Sequence, residues 1–143
     1  MPTRDAAGSA AAAPKQVTTK SRGDAAEGAA LAWLAKAGLQ WVESNYRTPG
    51  RGGGEIDLVM RTPDGTLVFV EVRQRASASH GGAGASIGGA KQRRIIFAAR
   101  HYLMRFASPP PCRFDVVLVH GALGGAGHQG PAIEWLPAAF DAS

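Results

Sequence analysis

Cysteine is almost absent from this chain: Cys112 is the only one among 143 residues, and that scarcity excludes two classes of small protein. One cysteine cannot form an intrachain disulfide framework, nor a zinc site built from several thiolates. The sequence also contains no run of 18 apolar residues, so it predicts no transmembrane helix. The alanine-rich stretch near the start is too weakly hydrophobic for a secretory signal, and a cytoplasmic protein is expected.

Large apolar side chains are missing from the first part of the chain. Residues 1–22 contain no Leu, Ile, Phe or Trp. A segment that cannot bury apolar surface does not order itself, so 1–22 is interpreted as a disordered, basic and alanine-rich tail. Residues 23–143 are then interpreted as one domain, within the usual length of roughly 100–200 residues.

Acidic residues are scarce in the middle of the sequence. Residues 51–113 hold ten Lys and Arg against four Asp and Glu, a net charge of +6, whereas the rest of the chain sums to −1. A locally basic region suits a polyanionic partner, because neutralised phosphates release counterions and give affinity independent of base sequence. The alternative is a charged surface that only keeps the protein dissolved.

The pattern of apolar and turn-forming residues predicts an α/β fold in the order α-β-β-β-α-β-β. A first helix is expected over 25–37, where Asp24 and Glu27 match a capping box. A second helix is expected over 91–105. The strands are expected at 39–45, 55–60, 67–73, 113–120 and 133–136.

The turn Thr62-Pro63-Asp64-Gly65 predicts how the second and third strands pair. A three-residue hairpin loop with a glycine bulge, centred on Asp64, pairs residues whose numbers sum to 128. Asp57 then faces Glu71, with both side chains on the same face of the sheet. A two-residue turn would put the two side chains on opposite faces.

Asp57 and Glu71 are carboxylates inside otherwise apolar strands, where acidic residues are depleted. Side by side they repel unless they share a cation or a proton. Oxygen ligands of this kind suit Mg²⁺, and Arg73 lies on the same face as Glu71, where it would stabilise charge on a phosphate. The alternative is a salt-bridge cluster of these three residues that only joins the two strands.

Three segments are similar, in order and spacing, to those of the YraN family: 54–59 (GEIDLV), 67–75 (LVFVEVRQR) and 113–117 (RFDVV). The resemblance covers residues 23–140. It implies membership of the restriction-endonuclease-like PD-(D/E)xK superfamily, whose members have α/β/α layers around a central mixed sheet. Within that superfamily, the YraN family is similar to archaeal Holliday-junction resolvases. By fold analogy it implies a nucleic-acid-binding, endonuclease-like protein that hydrolyses phosphodiester bonds of branched DNA with Mg²⁺ or Mn²⁺. The alternative is a non-catalytic nucleic-acid or protein-binding module of the same fold.

The resemblance also implies roles for single residues. Asp57 and Glu71 match the two acidic positions of the superfamily motif, and Glu27 matches a further metal-binding acid on the first helix. Arg73 stands where the superfamily has lysine; arginine binds phosphate but stays protonated and cannot act as a base. Lys91 is the candidate to replace that lysine. Phosphate contacts are expected from Arg75, Arg93, Arg94 and Arg100.

Each of these residues also has a purely structural explanation. Glu27 is explained by the capping box, Lys91 by a solvated helix start, and the arginines by ordinary surface charge. Symmetric cleavage of two strands of a DNA junction would require a homodimer. The sequence gives no evidence for or against a homodimer.

The remaining polar and aromatic residues form no recognised catalytic or cofactor pattern. The glycine-rich stretches 51–54 and 81–89 match neither type of phosphate-binding loop, so no nucleotide cofactor is expected. Asp115 is expected to pair with Arg113 or with a core partner. The tryptophans are expected to pack inside the protein, and the histidines to lie at the surface or in loops: Trp33, Trp41 and Trp135; His80, His101, His120 and His128.

Overall fold

A computed structural model describes residues 19–75, 87–121 and 132–142. The elements are α1 (Thr19–Lys36), β1 (Gln40–Arg47), β2 (Glu55–Arg61), β3 (Leu67–Arg75), α2 (Gly89–Leu103), β4 (Cys112–His120) and β5 (Ala132–Phe140). This order confirms the predicted α/β fold. Within the described ranges, no helix is long and apolar enough to cross a membrane. Most of the predicted tail, together with His80 and His128, lies outside these ranges.

The five strands form one mixed sheet in the order β1-β2-β3-β4-β5. Neighbouring strands are antiparallel except β3 and β4, which are parallel and are connected through α2. Leu58 and Val70 face α1 on one side of the sheet, whereas Val59 and Phe69 face α2 on the other. One helix therefore covers each face of the sheet, as the predicted α/β/α layering requires.

The hairpin between β2 and β3 has the predicted register. Leu58 pairs with Val70 and Arg61 with Leu67, so the paired numbers sum to 128. Gly65 has a φ of 95° and donates its N–H to the carbonyl oxygen of Thr62 at 2.9 Å. Only glycine adopts that backbone conformation without strain, which is why this turn fixes the pairing of both strands.

The start of the first helix was predicted wrongly. The helix α1 begins at Thr19, inside the predicted tail, so Asp24 lies within the helix and is not its N-cap. A favourable cap contributes only about 1 kcal/mol, which does not stop a helix whose preceding residues can also be helical. The capping-box explanation for Glu27 therefore does not apply.

The last strand is longer than the sequence predicted. It continues through Pro137 to Phe140, past residue 136, where the strand was expected to end. Proline has no N–H to donate, but at the edge of a sheet that donor is not needed. Next to it, Ala138 has a φ of 51° and donates its N–H to the Asp115 carboxylate at 2.9 Å.

Asp115 is fully buried and joins β4 to β5. Its carboxylate accepts hydrogen bonds from Arg113 Nε at 3.0 Å, Trp135 Nε1 at 2.9 Å and the Ala138 N–H. The predicted pairing with Arg113 is thereby confirmed, and Trp135 packs on the α1 side of the sheet. Asp115 has a structural role at this edge.

Two tryptophans and one histidine are not where the sequence predicted them. Trp33 is 46% exposed and Trp41 is 52% exposed. In α1 the neighbouring Leu34 takes the core position, and β1 is an edge strand that offers Trp41 little to pack against. His120 is buried at the end of β4, where its Nε2 lies 3.5 Å from Glu134 Oε1.

Candidate active site between β2, β3 and α2

Asp57 and Glu71 lie side by side on the neighbouring strands β2 and β3. Alternation along β3 puts Glu71 on the same face as Phe69, the face that α2 covers. At Asp57 the alternation of β2 is interrupted, because Ile56 packs in the core under α2 and Leu58 in the core under α1. The two carboxyl groups are hydrogen-bonded to each other. The N–H of Val72 also donates to Asp57 Oδ2 at 2.8 Å. The register that the turn residues predict therefore does bring both acids together.

This carboxyl pair holds a proton near neutral pH. Burial, and then the charge of Asp57, raise the pKa of Glu71 to about 8. Burial also raises the pKa of Asp57, although the Val72 N–H and the partner carboxyl oppose the rise. Two buried carboxylates in contact cannot both be ionised cheaply, so one proton remains between them.

Two cationic side chains lie beside the pair. Lys91 is in the first turn of α2, and its Nζ lies 3.7 Å from Glu71 Oε2. Arg73 follows Glu71 by two positions on β3, and its positive charge lowers the pKa of Glu71. The cluster is thus assembled from β2, β3 and the start of α2. The lysine at its centre comes from the helix and not from the strand.

Glu27 lies on the other side of the sheet. Together with Asn45 and Leu58 it lines a cleft of about 270 Å³ between α1 and β1, and Leu58 belongs to the core under α1. Burial, and then the charge of Asp57, raise the pKa of Glu27, whereas a hydrogen bond from Asn45 lowers it. In the part of the chain that the structure describes, no three His, Cys, Asp or Glu side chains are grouped to hold a metal ion. The structure thus brings Asp57 and Glu71 together, and Glu27 interacts with Asp57 through charge.

The donor set of Asp57 and Glu71 fits a hard divalent cation. Mg²⁺ is commonly held by one or two carboxylates, with water and substrate phosphate oxygens completing its coordination. One proton neutralises only one of the two negative charges of a carboxyl pair. A divalent cation in place of that proton would neutralise both charges.

The arginines expected to contact phosphate lie in two places. Arg93, Arg94 and Arg100 are exposed on α2, which contains no acidic residue. The Arg100 Nη2 donates a hydrogen bond to the carbonyl oxygen of Ala142 at 3.4 Å. Arg75 is partly buried at the end of β3. The helix therefore presents a basic outer surface, and Arg75 belongs to the sheet.

Gly54 has a positioning role that the sequence did not reveal, because it is the last residue of the glycine-rich stretch 51–54, which matches no known phosphate-binding loop. A Cβ atom at Gly54 would lie 1.9 Å from the carbonyl oxygen of Arg94, in the backbone of α2. The Gly54 N–H donates to the buried Thr48 hydroxyl at 2.9 Å. Glycine is therefore required where the strand of Asp57 meets the helix of Lys91. A glycine directly before a strand was the available signal.

Replacing Gly54 with alanine is expected to push α2 away from β2 and to separate Lys91 from Glu71. Overpacking of this kind costs roughly 1–3 kcal/mol of the free energy of unfolding, measured by urea denaturation. Loss of the nearby ammonium should also raise the pKa of Glu71 further. Gly28→Ala is the matched control, since a Cβ at that helical position meets nothing within 4 Å and should be neutral or stabilising. A Gly54→Ala protein as stable as the wild type would contradict this role.

The proton on the carboxyl pair predicts that stability falls as the pH rises. The Glu71 pKa is about 8 in the folded chain and 4.5 as the ordinary value, so between these values the folded state binds more protons than the unfolded state. The free energy of unfolding should therefore decrease from about pH 5 to pH 8, by roughly 2–4 kcal/mol, and level off above.

Urea denaturation at several pH values, in the presence of EDTA, measures this decrease. The Glu71→Gln protein should lose most of the pH dependence and be more stable than the wild type above pH 8. The same substitution at Glu43, a surface residue paired with Arg105 at 3.7 Å, should leave the dependence in place. If the free energy of unfolding of the Glu71→Gln protein fell with pH as steeply as that of the wild type, the proton would be held elsewhere.

Known proteins with similar sequences agree on one family. The model of "Uncharacterised protein family UPF0102" matches residues 26–119, a segment that contains Glu27, Asp57, Glu71 and Lys91. A UPF0102 protein of Polaromonas naphthalenivorans (strain CJ2) is 81% identical over 140 residues, covering 98% of this chain and 92% of that protein. A UPF0102 protein of Paracidovorax citrulli (strain AAC00-1) is 64% identical over 130 residues, covering 91% and 90%.

Proposed function

The chain belongs to the uncharacterised protein family UPF0102, the YraN family, and for this member we propose metal-dependent hydrolysis of phosphodiester bonds in DNA. The observation that carries the proposal is the contact between Lys91 and the carboxyl pair of Asp57 and Glu71. Two acids and a lysine are the side chains that the PD-(D/E)xK resemblance calls for. In this chain the lysine reaches the acids from a helix.

Asp57 and Glu71 are the residues that would hold Mg²⁺ or Mn²⁺ in this proposal. A divalent ion held by carboxylates polarises a phosphoryl oxygen and lowers the pKa of a bound water. Glu71 would give up its proton to such a cation, because the cation would balance the charge of both acids. Lys91 Nζ, 3.7 Å from Glu71 Oε2, would neutralise negative charge that develops on a phosphate. Arg73 would bind phosphate oxygens through its planar guanidinium but would not accept a proton.

DNA is the partner that the charge distribution supports. The chain has a net charge of +5, and the arginines of α2 extend from the same helix as Lys91. Contacts between arginine and phosphate give affinity that falls steeply with salt and does not depend on base sequence. Branched DNA is the substrate suggested by the resemblance to junction resolvases, and symmetric cleavage of a junction would use a homodimer.

A second candidate function is a non-catalytic nucleic-acid or protein-binding module. Arg73 favours it, because arginine in the lysine position of the strand cannot take part in proton transfer. The lack of a third metal-ligating side chain near Asp57 and Glu71, among the residues that the structure describes, favours it as well. Such a module would retain salt-sensitive binding without any dependence on metal.

Cleavage of labelled linear, flap and four-way-junction DNA tests the proposal, with Mg²⁺, Mn²⁺ or EDTA in the buffer. Cleavage that requires the metal is expected, and calorimetry in buffers of different ionisation enthalpy should show that Mg²⁺ binding releases a proton at pH 7. Binding that is sensitive to salt but is never followed by cleavage would support the binding module. Absence of any binding would contradict both functions.

A further inference from the structure

Phe97 is a large aromatic side chain on the outer surface of α2. It is 53% exposed, whereas Ile95, Ala98 and Tyr102 of the same helix are buried against the sheet. Burying a phenylalanine favours folding, because it removes a large apolar surface from water. At Phe97 about half of the side chain is still exposed, so packing leaves much of this contribution unused.

Three arginines surround this ring. Arg93 and Arg94 precede Phe97 by four and three positions, and Arg100 follows it by three; all three are exposed. Residues at these spacings are neighbours on a helix surface. Since α2 contains no acidic residue, the charged side chains that this helix places around the ring are all positive.

We infer that Phe97 is a stacking site for an unpaired base, so that the outer face of α2 binds nucleic acid containing single-stranded or branched segments. An aromatic ring among positive charges is the combination with which single strands are bound: the charges hold the backbone and the ring holds a base. In a continuous duplex each base is already stacked on both sides. A base becomes available to Phe97 at an end, a flap or a branch.

The position of the ring connects this site with the carboxyl cluster. Phe97 follows Lys91 by six residues, which is about 9 Å along a helix axis. A strand held at Phe97 and running towards the start of α2 would come near Lys91, which contacts Glu71. The inference rests on the DNA-binding part of the proposed function and specifies the substrate class: nucleic acid with at least one unpaired base.

A protein partner is the competing occupant of an exposed aromatic residue. Charge favours nucleic acid, because three arginines around one ring would require a partner surface with matching acids. The two occupants also differ in what they need from the side chain. A protein pocket accepts any apolar group of similar size, whereas stacking requires an aromatic ring.

Two substitutions separate these possibilities. Phe97→Leu keeps the apolar character and loses the ring, and Phe97→Tyr keeps the ring. Fluorescence anisotropy in EDTA measures binding of the full chain to a labelled oligothymidine and to a blunt hairpin duplex of equal length. We expect Phe97→Leu to weaken binding of the single strand about tenfold or more, to change duplex binding less than about twofold, and Phe97→Tyr to bind like the wild type. Met104→Ala, which removes another exposed apolar side chain of this region, should change neither affinity.

Three outcomes overturn the inference. If Phe97→Leu lost the same affinity for the single strand and for the duplex, Phe97 would be a contact that does not distinguish unpaired bases. Unchanged binding by Phe97→Leu would exclude stacking. A wild-type chain that binds neither probe would overturn this site and the proposed function together. Cleavage by the wild type with Mg²⁺ is scored separately. If the wild type cleaves DNA but Phe97→Leu does not change binding, only the stacking site is rejected. If Phe97→Leu weakens binding of the single strand but the wild type does not cleave DNA, only the catalysis is rejected.

Discussion

Replacing Asp57 with alanine is expected to reduce metal-dependent DNA cleavage at least about a thousandfold while the protein remains folded. The substitution removes one of the two carboxylates that would hold the metal ion, and a metal contributes several kcal/mol to such reactions, with 1.4 kcal/mol for each factor of ten. The fold should persist because the acid contributes repulsion as well as its hydrogen bond from Val72.

Initial cleavage rates with Mg²⁺ or Mn²⁺ measure this effect, and circular dichroism verifies the fold. Asp64→Ala is a matched control, since it makes the same chemical change in the exposed turn at the other end of β2. The affinity of the Asp57→Ala protein for DNA in EDTA should stay within a few fold of the wild type. Full cleavage by this protein would place the chemistry elsewhere or reveal a contaminating nuclease.

Replacing Asp115 with alanine is expected to cost about 3–5 kcal/mol of the free energy of unfolding. The carboxylate is completely buried, and its loss leaves the Arg113 guanidinium, the Trp135 indole N–H and the Ala138 N–H without their acceptor. Removing one partner of a buried charged network has costs of this size, because the remaining groups stay desolvated. A domain of this length has about 5–15 kcal/mol in total, so the loss is a large fraction.

Urea denaturation measures the loss of stability, and amide hydrogen exchange shows where the structure opens. Exchange should accelerate first in β5, since Asp115 adds side-chain hydrogen bonds from Trp135 and Ala138 to the backbone pairing of that strand with β4. Asp115→Asn retains one oxygen acceptor and should lie between the wild type and the alanine protein. A loss below about 1 kcal/mol for alanine would show that water replaces the carboxylate without difficulty.

The carboxyl pair was the part of the site that the sequence could predict. Turn residues act locally, and the residues from Thr62 to Gly65 fix the pairing of β2 with β3 and hence the meeting of Asp57 with Glu71. The order of elements was predictable for a similar reason, because periodicity and breakers act over short distances along the chain.

Contacts between distant elements were not accessible from the sequence. The side of the sheet on which Glu27 lies depends on how α1 packs, and its helical cap was misidentified. The approach of Lys91 to Glu71 depends on a glycine with no visible role until α2 is placed against it. Exposure of Trp33 depends on which side of α1 packs on the sheet. Exposure of Trp41 depends on which strand forms the edge, and hydrophobic character alone does not distinguish an edge strand from a central one.

The connectivity of the sheet also has a consequence for the order in which the chain acquires its structure. Asp57 and Glu71 lie on consecutive strands joined by a tight turn, whereas Lys91 lies on α2, within the long crossover that connects the parallel strands β3 and β4. Local hairpins close faster than distant parallel pairings, since the entropy of closing a long loop must first be overcome. The two acids therefore meet before Lys91 arrives, and during synthesis they leave the ribosome before it. Until α2 docks, the nascent hairpin has only Arg73, a proton, or a metal ion from the surroundings to balance them.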